Sequence, residues 1–151
     1  MPKQQVFYSD FDIKFDAHPI SGKIKLLNDN DAISQALKIL ILTDKYERLM
    51  QPNIFTDVRA TLFENFTSST ALILDDFIRN ATRNHERRAN ILKLEIFQRD
   101  DYNEIGIKLY YNGINASNPV VVTLFLRKLR WYLLNFLKAP FGAFFFRVIN
   151  I

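Results

Sequence analysis

The sequence contains no cysteine, which removes disulfides, thiolate metal sites and cysteine nucleophiles together and is compatible with assembly in a cytoplasm. Its two histidines, His18 and His85, stand on different segments without a ligand-spaced partner, so no metal site is expected. Four glycines and five prolines are too few for a linker-rich or low-complexity chain. There is no phosphate-cradling glycine-rich loop, no nucleophile elbow and no Ser/His/Asp arrangement, so nucleotide hydrolysis and acyl transfer have no foothold. Neither a cofactor nor a small-molecule substrate is expected. The opening MPKQQVFYSD lacks the apolar core and small-residue cleavage site of a secretory leader. The most apolar stretch, residues 131–151, is interrupted by Asn135, Lys138, Pro140 and Arg147 and falls short of the roughly 18 to 20 apolar residues a membrane span requires.

What is present is apolar and aromatic. Of 151 residues, 48% are hydrophobic, and 14 Phe and six Tyr make the chain rich in aromatics. A chain of this length supports one compact domain. Such aromatic content suits a protein that buries surface twice, in its own core and against neighbours. The net charge of +4 permits an acidic partner without demanding one.

Residues 7 to 27 alternate in the manner of strands, with Phe11, Ile13 and Phe15 on one face, and predict a hairpin turning at His18-Pro19-Ile20-Ser21-Gly22. The cluster Asn28-Asp29-Asn30-Asp31 supplies caps for a helix whose stripe is Ile33, Ala36, Leu37, Leu40 and Ile41, ending near Thr43. Residues 44–56 have neither period, contain Pro52, and predict an ordered loop. Thr56 is positioned to cap a short helix through Asn65, with Val58 and Leu62 inward; Ser68, Ser69 or Thr70 would cap a third with Ala71, Leu74, Phe77, Ile78 and Ala81 buried. From Asn90 the period becomes two: Leu92, Leu94 and Ile96, then Ile105, Ile107 and Leu109, joined near 100–103. After a turn opened by Asn112-Gly113, Pro119 to Arg127 gives a third strand on which both Val120, Val122, Leu124, Leu126 and Val121, Thr123, Phe125 read as buried. The fold class is α+β, a small mixed or antiparallel sheet with about three helices packed on it.

Two other functions have material to point to. The basic clusters Arg83–Arg88 and Arg127–Arg130 suggest a small nucleic-acid-binding module, but the first complements a helix C-terminus and neither has an aromatic stacking platform beside it. Glu47 and Glu64 are the only pair tempting for a muramidase, yet Glu47 adjoins Arg48 in a loop and Glu64 ends a short helix. The chain is read as no enzyme, and nucleic acid is not an expected partner.

The run Ser9-Asp10-Phe11-Asp12-Ile13-Lys14-Phe15 with His18-Pro19-Ile20-Ser21-Gly22 resembles the opening hairpin of the baseplate wedge, or sheath-initiator, family of contractile phage tails and type VI secretion systems. The resemblance continues through Asp31-Ala32-Ile33-Ser34-Gln35-Ala36-Leu37, Ile41-Leu42-Thr43, Tyr46-Glu47-Arg48-Leu49-Met50-Gln51-Pro52-Asn53, Val58-Arg59 and Leu62-Phe63-Glu64-Asn65, and covers about residues 7 to 128. It implies a structural virion protein of the bacteriophage tail baseplate, assembled in the host cytoplasm. Its partners would be other wedge proteins through their core bundle and the tail sheath protein, with the tail tube a further candidate. The resemblance assigns docking on the core bundle to Glu47, Pro52 and Arg59 with Arg48 beside them, and sheath nucleation by strand addition to Val121, Thr123 and Phe125 and the neighbouring strand 105–111. Family members usually carry Gly where this chain has Tyr46, and again where it has Phe55. Some are labelled lysozymes, an activity not carried over here.

Residues 1–130 are read as the baseplate wedge domain and 131–151 as a hydrophobic C-terminal extension beyond the family pattern. The extension contains Phe141, Phe144, Phe145 and Phe146. Burying a Phe contributes roughly 1.5 to 3 kcal/mol, so this cluster is expected to pack on a neighbouring wedge or sheath subunit, with Phe144, Phe145 and Phe146 as contacts.

Overall fold

The structure, a computed structural model, describes residues 7–17, 19–20, 22–113 and 118–128. His18, Ser21 and the whole 131–151 extension, with Phe144, Phe145 and Phe146, lie outside the described residues.

The period-two run folds as a three-stranded antiparallel meander of β3 (Ala89–Arg99), β4 (Glu104–Gly113) and β5 (Val120–Arg127), in that spatial order. A smaller antiparallel pair, β1 (Ser9–Phe11) and β2 (Leu26–Asn28), precedes it. The β3–β4 connection is one 3-10 turn, Asp100–Tyr102, closed by Asn103 at φ 51°, a left-handed conformation that asparagine tolerates. The register aligns Ile105 with Leu126, Ile107 with Leu124 and Leu109 with Val122, and all six side chains are buried. On β3, Leu94 and Ile96 continue those rows. Leu92 does not: a bulge between Ile91 and Lys93 takes it out of the ladder and leaves it half exposed, so the expected Leu92-Leu94-Ile96 alternation begins at Leu94.

Two helices cover the buried face, α1 (Asp29–Leu42) and α3 (Ser68–His85), through Ile33, Leu37 and Ile41 and through Leu74 and Ile78. Both follow the main stripes read from the sequence, although Ala36, Ala71 and Phe77, expected to be buried, are only partly so. The short α2 (Val58–Thr61) is less than half its expected length, although Val58 and Leu62 point inward as expected. Thr56 does not cap it. Its hydroxyl is buried and donates to the carbonyl of Ile41 at 2.6 Å, holding the end of the preceding loop against α1. At α3 the cap is Thr67, whose hydroxyl accepts from the Thr70 N–H at 3.2 Å, while Thr70 donates to the Asn65 carbonyl.

The hairpin strands are shorter than the alternation of Phe11, Ile13 and Phe15 implied. The buried Asp12 carboxylate accepts from the Lys14 N–H, and the Phe15 N–H donates to the Asp12 carbonyl at 2.9 Å, forming a turn that places Phe15 at φ 53°. Beyond it the pairing resumes as a single bridge, Ala17 to Ile24. Gln35 of α1 clamps this segment from both sides, donating to the Phe11 carbonyl at 2.7 Å and accepting from the Ile13 N–H at 3.0 Å.

Tyr111 joins the layers. Its ring is fully buried, its hydroxyl donates to the Asn30 carbonyl at 2.9 Å and lies 2.8 Å from the Ser34 hydroxyl, and burial pushes its pKa above the ordinary tyrosine value. Tyr111→Phe keeps the packing and strands a carbonyl and a hydroxyl of α1, so it should lower unfolding free energy by about 1 kcal/mol in urea titration. An unchanged midpoint would contradict this role.

The Lys14 N–H bond, with Lys25 nearby, holds the Asp12 carboxyl below its ordinary value of 3.8. A depressed folded value means the contribution is present above 3.8 and lost as pH falls below it through the folded value. Protection factors of the Lys14 and Phe15 amides, taken relative to intrinsic exchange at each pH, should therefore fall on acidification, and Asp12→Asn should flatten that dependence.

Candidate docking surface

The loop joining α1 to α2 is built from the neck outward. The Thr56 N–H donates to the Thr43 carbonyl at 3.0 Å and Thr43 returns its hydroxyl to the Ile39 carbonyl at 2.7 Å, so the two ends are pinned to the last turn of α1. Beyond the neck, Asp44 and Glu47 bond reciprocally: the Asp44 N–H donates to the Glu47 carboxylate at 2.8 Å and the Glu47 N–H to the Asp44 carbonyl at 3.2 Å. The Asp44 carboxylate also receives Arg59 at 2.8 Å. Glu47 and Arg59, two of the expected contact residues, are thus brought together through Asp44, a residue the sequence reading passed over.

At the tip, the Gln51 N–H bonds the Arg48 carbonyl and the Ile54 N–H the Gln51 carbonyl, two successive tight turns around the exposed Pro52. Between them Leu49 and Met50 are each 94% exposed. Two adjacent large apolar side chains held in water by a hydrogen-bonded loop forgo the burial energy that a flexible chain would recover by collapsing. The sequence reading missed both. Their signal was present, an apolar pair inside a stretch with no helical or strand period, and it was attributed to the loop as a whole. Arg48, beside them, is exposed and has no acidic partner among the described residues.

Tyr46 sits at φ 66°, in the left-handed region where a β-carbon is strained, with the Lys45 ammonium 5.3 Å from its ring. This is the position where the resembling family usually carries glycine, a residue that adopts this conformation without strain. At Phe55, the other departure, the backbone is not in the left-handed region.

The second expected surface lies elsewhere. Only Val122, Leu124 and Leu126 of β5 are buried; Val121, Thr123 and Phe125 point to the sheet face that carries no helix, and Val121 and Phe125 are half exposed. Reading both faces as buried was an error, because the apolar run on the outer face is covered by nothing among the described residues. The neighbouring strand 105–111 is also unsuited to strand addition, since β4 is central and paired on both sides. β5 is an edge.

Cross-strand rows organise the outer face. Phe97, Gly106 and Phe125 are in register, and the Phe97 ring lies so close over Gly106 that a β-carbon there would come within 2.5 Å of the ring. Arg99 stacks 4.8 Å from the Phe125 centroid and 4.3 Å from that of Tyr102, and both Arg99 and Arg127 reach Glu104. In the next rows Lys93 pairs with Glu95 at 2.7 Å, which holds the Lys93 ammonium above and the Glu95 carboxyl below their ordinary values. The loop emerges from the helix layer and these rows face away from it, so the two expected contact sets form two separate surfaces.

Replacing Tyr46 by glycine should relieve about 1 to 2 kcal/mol of left-handed strain, offset in part by the roughly 0.5 to 1 kcal/mol of extra freedom glycine gives the unfolded chain. Thermal denaturation should show Tyr46→Gly slightly stabilised and Tyr46→Val destabilised; a destabilised glycine variant would mean the ring contributes more than its backbone strain costs.

Among the described residues no group of His, Asp and Glu is placed to hold a metal ion, and no helix is long and apolar enough to cross a membrane. No family model matches the sequence, and no curated protein does. Solved structures do. A proposed tail lysozyme from Geobacter sulfurreducens superposes with a TM-score of 0.56 at 19% identity over 65% of this chain and 91% of its own. A chain in the baseplate of the anti-feeding prophage superposes with a TM-score of 0.56 at 18% identity over 88% of this chain and 94% of its own. A chain of the postcontracted pyocin R2 baseplate gives 0.49 at 14% identity, over 66% and 95%. This chain therefore shares its fold with a chain of the anti-feeding prophage baseplate and with the Geobacter protein described as a tail lysozyme, in line with the resemblance of residues 7–128 to the baseplate wedge family.

Proposed function

We propose that this chain is a structural subunit of a contractile phage tail baseplate, a wedge component that docks on other wedge proteins and starts the tail sheath. Its place would be the virion, after assembly in the host cytoplasm, and its 1–130 portion would be the wedge domain. The observation that carries the reading is the braced loop of residues 43–56, which holds Leu49 and Met50 94% exposed beside Glu47, Arg48 and Pro52 on a fold shared with baseplate proteins. A preformed apolar tip with flanking charge binds without first ordering itself, so little of the contact energy is spent on entropy. In this reading Leu49 and Met50 enter a pocket of the partner, Arg48 and Glu47 set its orientation, and Arg59 holds Asp44 and thereby the shape of the loop.

The second half of the reading concerns β5. Its outer edge is unpaired among the described residues, and an arm of a sheath subunit added there would find main-chain groups for binding and Val121, Thr123 and Phe125 for register. The Phe144, Phe145 and Phe146 cluster is assigned to the same interfaces from the sequence alone.

One feature speaks to lysozyme chemistry, because a structural relative is described by that activity. A retaining or inverting glycosidase needs one carboxyl free to donate a proton and another free to attack or to activate water. Here the Glu47 carboxylate is committed to the Asp44 N–H at 2.8 Å as part of the loop brace. Contact is the better-supported role.

Co-expression with the neighbouring tail proteins, followed by affinity purification, tests both surfaces. Leu49→Asp with Met50→Asp, and separately Glu47→Ala with Arg59→Ala, should keep the circular dichroism spectrum and reduce wedge co-purification more than tenfold, the scale of a lost hot spot. Thr123→Asp with Phe125→Asp should leave wedge binding intact and abolish sheath assembly. Undiminished wedge binding by both loop variants would sink the docking assignment, and clearing of a peptidoglycan suspension by the purified chain would reinstate the muramidase.

A further inference from the structure

Between the C-terminal half of α3 and the beginning of β3 lies a concavity of about 350 Å³ lined by Arg79, Thr82, Arg83, Arg87, Asn90 and Ile91 among others. It shares no residue with the loop or with the outer sheet face, and the proposed function leaves it unused. Arg79 is satisfied by Asp75 at 2.7 Å, whereas Arg83 and Arg87 have no acidic partner among the described residues. Glu86, the acid next to Arg87 in the sequence, is occupied: Arg88 grips both of its carboxylate oxygens at 2.6 Å. Complementing a helix C-terminus calls for roughly half an elementary charge, so two unneutralised guanidinium groups exceed that need.

A second observation points the same way. Thr82 is only 2% exposed, and its hydroxyl is one of two buried side-chain polar atoms without a hydrogen-bond partner among the described residues; the other is on Asn112, opposite Asn90 in the ladder. A threonine in a helix ordinarily satisfies its hydroxyl on the carbonyl one turn back. An orphan donor at the wall of a pocket carrying free arginines is the arrangement an oxyanion completes.

We infer that this concavity binds a carboxylate carried by an acidic, extended segment of another protein. The guanidinium forks of Arg83 and Arg87 would take the carboxylate oxygens and the Thr82 hydroxyl would donate a further bond. β3 is an edge strand, so an extended segment can lie beside it while one acidic side chain enters the pocket, and Ile91 with the bulged Leu92 offers apolar contact alongside. Nucleic acid fits less well, since among the described residues no aromatic side chain lines the concavity to stack a base.

The test uses the full chain and fluorescence anisotropy at low ionic strength with a short labelled polyglutamate peptide. Polyglutamine of the same length, inorganic phosphate and a single-stranded oligonucleotide serve as competing probes. Polyglutamate should bind, and Arg83→Gln with Arg87→Gln should weaken it by about tenfold or more. Thr82→Val supplies a readout that a merely structural hydroxyl would not move: binding should weaken about threefold while thermal stability holds or rises, because an orphan polar group has been removed. Unchanged binding by the arginine variant, equal binding of polyglutamine, phosphate competing as tightly as the peptide, or tighter binding of the oligonucleotide would each overturn the assignment.

Discussion

The seating of α1 on the three-stranded sheet is the constraint on which the other features depend. Ile33, Leu37 and Ile41 bury one stripe against the β4 and β5 rows, and the Tyr111 hydroxyl reaches through the layer to the first turn of the helix. Both of the less regular parts of the molecule hang from that helix. At its start, Asp29 accepts from the Phe7 and Tyr8 N–H groups and Gln35 clamps Phe11 and Ile13. At its end, Thr43 and Thr56 close the neck of the loop. A shift of α1 along the sheet would therefore move hairpin and loop together, as attachments of one rigid element.

Covering a sheet on one face only has a consequence for the other. The outer rows cannot be apolar throughout without aggregating, and they cannot be wholly charged without losing the cross-strand contacts that stabilise a sheet. The structure settles on cations laid over rings: Arg99 on Phe125 and Tyr102, Lys108 on Phe97, Lys93 on Tyr110. Each pair keeps a charge in water and an aromatic half shielded. Gly106 makes room in the middle row for the Phe97 ring, so the central strand contributes backbone where its neighbours contribute side chains.

How much of this was legible depended on whether a segment declared its partner locally. The 3.6-residue stripes of α1 and α3 and the two-residue period of β4 are local statements, and the structure follows them. Which face of β5 is covered is not local: Val121, Thr123 and Phe125 read as buried because an apolar residue looks the same whether a helix or a future partner lies over it. The bulge at Leu92 and the turn at Asp12 arise from hydrogen bonds that no hydrophobic period announces. Thr56 looked like a helix cap because threonine before an acidic residue is a common cap signal, and the nearby Ile41 carbonyl, known only in three dimensions, took its hydroxyl instead. For the site, Glu47 and Arg59 came from a resemblance in order and spacing, while Leu49 and Met50 became visible only when their exposure did.

Tyr46 bears on what the loop is for. A tyrosine at φ 66° is a local cost that glycine would not incur, and such strain persists only where surrounding structure over-determines it. Here the determinants are the neck at Thr43 and Thr56, the reciprocal Asp44–Glu47 bonds and the Arg59 brace. A loop with that many internal constraints has little freedom to close on a small substrate, and the carboxylates it contains are already engaged in holding it. What remains free is its outward surface: an apolar tip, a lone arginine and a stiff proline turn. Those are properties of a fixed shape, and a strained tyrosine that persists at Tyr46 is a sign of how firmly the surrounding bonds hold it.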